Sequence, residues 1–506
     1  LTSLIAGIQW WGFASGIVGG AWTSLPSSWS ELWAAAWAGW IPGGDGYAGG
    51  ADPLTILMAL LSAPVAPFGV TPGAVATTLL VASSPLAAIL AWVPTRSLTS
   101  SLRVRFLVSL AWALSPALLL SAAHGSLAGA LAHLAVPVLA AYCVPAAPPL
   151  MVAGASGVAA APVNPRTVNA GCAGLSLLVL ACCAPWTLPL GLAALLWRAR
   201  RSAVVAMPAA VVLAPTYVSI IAHPSAWVAL ASTSGGVHAY TRASSWFAAL
   251  GMPAAPSTPL EAVALCIIGA GVIAAAGIAP LRLRTRFAAL AFCGALVSAA
   301  AGWAASQIGV GISGALVASA WSAPALSLSF GALLALAARS GSGNENAAEA
   351  SRPAWDGSRS FAVRAIGALT ALVLLGAGGG VAVSAFAARG DAADTPTFTL
   401  AQRSTVSPMS SPIVSAVAAQ AQRSTRAGRI LVLDGDPTHG TVNASLWRGS
   451  GPSLTDGSPA TRALALAQAR SGAPVGGLSD PATASLAQAA HTHAVHTRPP
   501  STYTRP

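Results

Sequence analysis

Across residues 1–338 this chain carries only four acidic side chains, Glu31, Asp45, Asp52 and Glu261, and eleven arginines that mostly crowd into short gaps between long apolar runs. About ten such runs precede residue 338 and one more covers 364–388, most of them near the roughly 20 residues an apolar helix needs to cross a bilayer. A water-soluble chain has no means of burying so much apolar surface. The sequence therefore predicts an α-helical polytopic membrane protein with about 11 transmembrane helices and a small α+β extracytoplasmic C-terminal domain.

Composition agrees with that class. Of 506 residues 55% are hydrophobic and 8% charged, with a mean hydropathy of +0.69, against roughly 25% charged residues in soluble domains. A net charge of +12 would suit a nucleic-acid partner, but the arginines up to Arg364 lie between or beside apolar segments, where they fix orientation on the cytoplasmic side; no nucleic-acid partner is expected. All basic residues are arginine, which we read as codon bias. Six cysteines, Cys143, Cys172, Cys182, Cys183, Cys266 and Cys293, fall in or beside apolar segments without a CxxC pair, as inert thiols do. The apolar stretch 1–20 has no charged flank and reads as the end of a longer polypeptide's helix rather than a signal peptide.

Charge placement orders the spans. Residues 21–52 form a Trp-rich loop without a basic residue and are expected outside. Residues 53–67 are apolar but broken by proline, as in a segment that dips into or lies on the membrane. Residues 72–93 form a full span ending at Arg96, Arg103 and Arg105; 104–123 and 127–144 make a hairpin turning at His124, Gly125 and Ser126. Further spans follow at 167–185, a short arm at 188–197, then 203–222, 260–279, 287–305 and 312–338. Apart from Arg242, this puts every basic group before the last span on one side. Residues 339–363 read as a cytoplasmic linker and 364–388 as the last span, whose glycines at 376–380 suit close helix contact. Residues 389–490 make the extracytoplasmic domain, with a hairpin of strand 429–433, turn 434–440 and strand 441–447, followed by a helix at 461–470. Residues 491–506 form a disordered tail.

Candidate chemistry concentrates in the first outer loop. Glu31, Asp45 and Asp52 are its only acids, and a carboxylate there could act as general base on an acceptor hydroxyl; Asp52 before Pro53 also has the form of a helix cap. Trp33, Trp37 and Trp40, spaced four and three apart, share a helix face. They suit either an interfacial helix with its indoles at headgroup depth or an aromatic wall for a sugar or polyprenyl chain. His133, two turns into its helix, should be neutral and hydrogen-bonded to a neighbouring helix if buried, whereas His124 at the turn reaches water. Asp434 and Asp436 form a DxD that could hold a metal in a nucleotide-sugar site, or an Asp-Gly-Asp-Pro turn. The histidines at 491, 493 and 496 read as a solvated tail, so no metal site is expected, and no GxxxxGK[ST], GxSxG or HExxH is present.

Several stretches together resemble the membrane region of large actinobacterial family 2 glycosyltransferases: GGAWTSLPSSWSELWAAAWAGW followed by Gly46 and ADPLTILMALLS, then FLVSLAWALSPALLLSAAHGSLAGALAHLAVPVLA, WSAPALSLSFGALLALAA, and RILVLDGDPTHGTVNASLWRGSGPSLTDG. The likeness covers most of residues 17 to about 456 and lies in hydrophobicity and Pro/Gly/Trp punctuation. It implies a cytoplasmic catalytic domain, upstream or separate, that uses a divalent metal and a nucleotide sugar; no cofactor is expected within this chain. The expected partners are membrane lipid, a lipid-linked glycan and that domain. Three functions remain open: the membrane part of a cell-envelope glycosyltransferase, a glycan or lipid transporter, and a polyprenyl-phosphate-sugar transferase using the first outer loop.

Overall fold

The computed structural model describes residues 2–10, 13, 16–42, 47–99, 101–143, 165–189, 191–192, 203–236, 244–283, 286–313, 316–350, 370, 373–383, 404–409, 420, 430–436, 441–447 and 452–471. Among these, Leu102–Ala123, Val205–Ala222, Pro259–Gly277 and Ala288–Ser306 are helical stretches long and apolar enough to span a bilayer, the first composed of Leu102–Ala113 and Pro116–Ala123. Pro72–Val81 and Ser83–Leu98 together make a fifth, bent by 67°. The protein is a multi-pass helical membrane protein. Four or five of the expected eleven crossings reach full span length among the described residues, and Pro53–Ser62, Leu127–Ala141, Ala170–Cys183, Ala323–Arg339 and Val373–Val383 are shorter apolar helices. Most of the arm 188–197 lies outside the described residues, and so does the tail 491–506.

Local chemistry accounts for the departures from uniform spans. The expected span 72–93 breaks at Ala82 because Pro85, in the first turn of Ser83–Leu98, has no N–H to continue the preceding ladder; Ser84 donates its hydroxyl to the Ala113 carbonyl at 2.9 Å instead. Residues 1–20 do not form one helix. The helix Thr2–Gln9 stops early, and Ile17–Gly19 is a strand paired antiparallel with Val406–Pro408. The span expected at 312–338 likewise begins late, since the glycine-punctuated stretch Gly309–Ser313 pairs with Leu316–Ser319 as a hairpin and the helix starts at Ala323. That helix runs on to Ala350, into the expected linker.

In the C-terminal segment the hairpin exists, with Ile430–Asp436 antiparallel to Thr441–Trp447, but its first strand extends through the aspartates: Asp434 stands opposite Asn443 and Asp436 opposite Thr441. The DxD is therefore strand, and the turn is shorter than expected. Pro459–Ser471 is helical, close to the expected bounds.

The core is built around Leu102–Ala123, of which 78% is buried. Packed against it are Ser83–Leu98, Leu127–Cys143 and Ala323–Ala350. Of the glycines at 376–380, a Cβ on Gly378 would meet the Leu114 side chain at 3.0 Å, whereas Gly376 and Gly379 have nothing within 4 Å. At the far end of the core helix Gly125 adopts φ +68, where a side chain would strike Val406 and the Trp22 backbone. This turn is the floor on which segments distant in sequence meet.

Candidate functional site

Asp52 occupies that meeting point. With φ −60 and ψ 130 it caps Pro53–Ser62, its Oδ1 accepting from Leu54 N–H at 2.8 Å, while Pro53 at the first helical position needs no partner for a missing donor. Oδ2 accepts from Gly235 N–H at 2.9 Å and lies 3.6 Å from Arg462 Nη2. The loop carrying Gly235 is held in turn by Ser234 N–H donating to the Cys183 carbonyl at 3.0 Å, and Gly235 itself requires φ +87. The carboxylate is wholly buried. Burial pushes its pKa up, and the Arg462 charge, the Gly235 and Leu54 amides and the neighbouring Ser234 hydroxyl oppose that rise. The Ser234 hydroxyl stands beside the carboxylate but is misaligned for a hydrogen bond.

A cavity of about 10 Å³ opens beside this cluster, lined by Trp22, Leu54, Ser126, Ser234, Gly236 and Leu454 among others. It has room for roughly one water molecule. The C-terminal segment closes it from above. Ser24 N–H donates to the Pro452 carbonyl at 2.9 Å and Leu454 N–H to the Ser24 carbonyl at 2.9 Å, beside the β pairing at residues 17–19. In this conformation Asp52 has the burial and neighbours of a tuned acid, and no sugar has access to it.

The other loop residues divide. Glu31 stands in the first turn of Trp29–Ala36, exposed, accepting from the Ser27 hydroxyl at 3.2 Å; it serves its own helix. Asp45 lies outside the described residues. Trp29, Trp33 and Trp37 form a ladder with ring centroids 5.4 and 5.5 Å apart, the first pair stacked and the second edge-on. Leu32 and Ala36 bury the opposite helix face, while Trp33 and the C-cap residue Trp37 are 36% and 55% exposed; Trp40, expected on the same helix face, lies past the helix end in the strand Trp40–Ile41 paired with Tyr47–Ala48 and is 56% exposed. Trp29 anchors the ladder by donating its indole N–H to the Ala59 carbonyl at 2.9 Å. Ala59 belongs to the helix that Asp52 caps, so ladder and carboxylate are mounted on one element.

Two histidines complete the polar interior. His124, expected in water, is buried: its Nδ1–H donates to the Ser404 carbonyl at 2.7 Å and its ring lies 5.4 Å from Trp321. Burial holds its pKa below the ordinary value, opposed by the Ser404 bond and by Glu261. His133 is fully buried and stacked on Trp112 at 3.8 Å. Its Nε2 faces the Trp112 carbonyl at 3.1 Å and Ser115 Oγ at 3.2 Å, and its Nδ1 faces Ser327 Oγ at 2.8 Å. A carbonyl only accepts, so Nε2 carries the proton and Nδ1 accepts from Ser327. Sequence reasoning missed Arg462 and Ser404, which reach the site from segments several hundred residues away and carry no local signal. The Ser-Thr-Ser-Gly-Gly run at 232–236 was a signal left unused. Among the described residues no group of His, Cys, Asp and Glu is arranged to hold a metal.

No protein-family profile matches the chain, and no curated protein sequence matches it. Among solved structures it is similar to the cryo-EM structure of the arabinofuranosyltransferase AftD from mycobacteria, with 15% identity and a TM-score of 0.44 over 77% of this chain and 26% of that one. The chain thus spans about a quarter of that protein's length. A likeness this loose identifies neither fold nor activity.

Proposed function

We propose that this chain is the membrane-integral part of a glycosyltransferase for cell-envelope polysaccharide or glycolipid assembly, and that its first outer loop holds a lipid-linked glycan while transfer chemistry is supplied by a catalytic domain upstream or on a separate chain. The observation that carries this reading is the ladder of Trp29, Trp33 and Trp37 with Trp40 beyond it, open on one face and anchored on the helix Pro53–Ser62. Stacked indoles offer flat apolar faces to sugar rings and prenyl chains alike. Asp52 suits a structural pin better than a base here, since both carboxylate oxygens already have partners and the adjoining cavity holds about one water.

The same proposal includes topology. Eleven crossings, with the arginine turns in the cytoplasm and residues 389–490 outside, follow from the charge rule. Supporting it, the core span starts at an arginine-bearing turn and ends at His124, where residues 17–24, 404–409 and 452–462 all meet.

The full chain in lipid nanodiscs, titrated with a polyprenyl-phosphate-linked sugar and followed by indole emission, tests the reading. Replacing Trp33, Trp37 and Trp40 by alanine is expected to weaken binding tenfold or more, and Asp52→Asn to leave it within about twofold. Unchanged binding by the triple variant overturns the proposal. Loss of glycan transfer by the isolated chain on Asp52→Asn, with binding intact, would instead establish the polyprenyl-phosphate-sugar transferase.

A further inference from the structure

Most arginines in the apolar part of the chain have no carboxylate within reach in sequence, and one group of them leaves that shortage visible in geometry. Helix Ser83–Leu98 carries Arg96 in its last turn, where the helix dipole favours a cation. Helix Leu102–Ala113 follows at once with Arg103 and Arg105 in its first turn, where the dipole opposes them. Its N-cap residue Ser101 makes no side-chain bond to the free amides. Arg96 also lies near enough to Arg105 for their like charges to interact unfavourably. The Arg105 guanidinium is fixed over the Trp92 ring, 4.3 Å from its centroid, and its Nε is buried with no acceptor.

Neighbouring like charges and an uncapped helix start are each unfavourable, and one anion relieves both. The surroundings say what kind. Ile89 and Val93 lie two turns and one turn before Arg96 on the same helix stripe, and Leu102 and Phe106 flank Arg103 and Arg105; all four are exposed. A free anion would use the charges and leave that apolar surface idle, whereas a lipid uses both.

We propose that Arg96, Arg103 and Arg105, with Trp92 as the platform, bind the phosphate headgroup of an anionic membrane lipid whose acyl chains lie along Ile89, Val93, Leu102 and Phe106. The site is independent of the glycan reading. It stands at the opposite end of the 22-residue span Leu102–Ala123 from His124, roughly 33 Å away at 1.5 Å per residue.

The test uses the full chain in zwitterionic detergent, titrated with phosphatidylglycerol or phosphatidylcholine, with bound lipid counted by native mass spectrometry. Phosphatidylglycerol is expected to be retained selectively, with about tenfold weaker retention in R96Q/R105Q, in line with the attraction of each basic residue to anionic lipid. Millimolar inorganic phosphate should not displace it. Because Arg105 contributes packing on Trp92, the exposed pair R96Q/R103Q carries the same expectation without touching that contact, and Arg242→Gln in a different loop should change nothing. Equal retention by wild type and R96Q/R103Q overturns the proposal, and so does displacement by inorganic phosphate, which would mark a free-anion site.

Discussion

Leu102–Ala123 and Ala288–Ser306 are almost equally long and apolar, yet 78% of the first is buried and 17% of the second. Hydropathy cannot separate them, because a lipid tail is as apolar as a leucine side chain and gives no hydrophobic drive for one helix to seek another. The difference lies in polar and small residues. The buried span is surrounded by the Ser84 hydroxyl bond to Ala113, the His133 bonds to Ser115, Ser327 and Trp112, and the Trp321 indole bonded to Ser121 at 3.1 Å. The peripheral helix turns Leu290, Leu296 and Val297 outward. Helix position in this protein is decided by what must be hydrogen-bonded or closely packed.

The sharpest way to break that comparison is to fill a close contact in the interior. A Cβ at Gly129 would lie 2.6 Å from Ser121 Oγ and 2.9 Å from Trp321 Nε1, the two partners of one buried bond. Gly129→Leu is expected to destabilise by about 3 kcal/mol or more, through overpacking and loss of that bond, measured as thermal unfolding in detergent. His133→Ala comes next. It removes the stack on Trp112 and leaves the buried Ser327 hydroxyl without its imidazole partner, while the Trp112 carbonyl keeps the Ser115 amide, a cost of about 2 to 3 kcal/mol. An unfolding midpoint equal to wild type for either variant would mean that the interior is no more specific than the lipid-facing rim.

These positions also show what could be read from the sequence. His133 was visible as an ionisable group inside an apolar run, and the hydrogen bond to a neighbouring helix expected of it if buried is the arrangement found. The cap at Asp52 was legible because Asp-Pro before an apolar run is a local signal. Its other partners were not, since Gly235 and Arg462 are 183 and 410 positions away, as the numbering itself gives. Breaks such as Ala82 and the hairpin at Gly309–Ser313 were hidden for a different reason. Counting apolar residues treats proline and glycine as neutral, while the backbone does not. Exposure of His124 was misjudged because its cover comes from Ser404, 280 residues on.

A smaller effect comes from that cover. His124 is held neutral by burial, with its pKa below the ordinary 6.5. The unfolded chain therefore takes up a proton as pH falls through about 6.5 while the folded chain does not, so stability contributed above that pH is lost on acidification until the lower folded pKa is passed. Glu261 opposes the shift but does not reverse it. Unfolding midpoints of wild type and His124→Gln, compared from pH 8 to 5, should converge as the pH drops, the variant lacking this part of the slope. Parallel profiles would show that the turn is open to water and that the outer end is as loosely built as the rim.

The smallest effect is expected where the comparison is most one-sided. Leu290 and Val297 on Ala288–Ser306 are 74% and 67% exposed, and a side chain facing lipid exchanges one apolar neighbour for another when it is shortened. Leu290→Ala and Val297→Ala should therefore each shift stability in bicelles by less than about 0.5 kcal/mol, the ordinary range for substitutions away from packed features. Buried leucines of the core span such as Leu118 are 0% exposed, and Leu118→Ala leaves a cavity costing about 2 to 5 kcal/mol. If Leu290→Ala instead matched Leu118→Ala, the surface taken as lipid-facing would be covered in the native assembly. The peripheral helix would then belong to an interface with another chain, and the contrast between rim and core would describe the isolated chain alone.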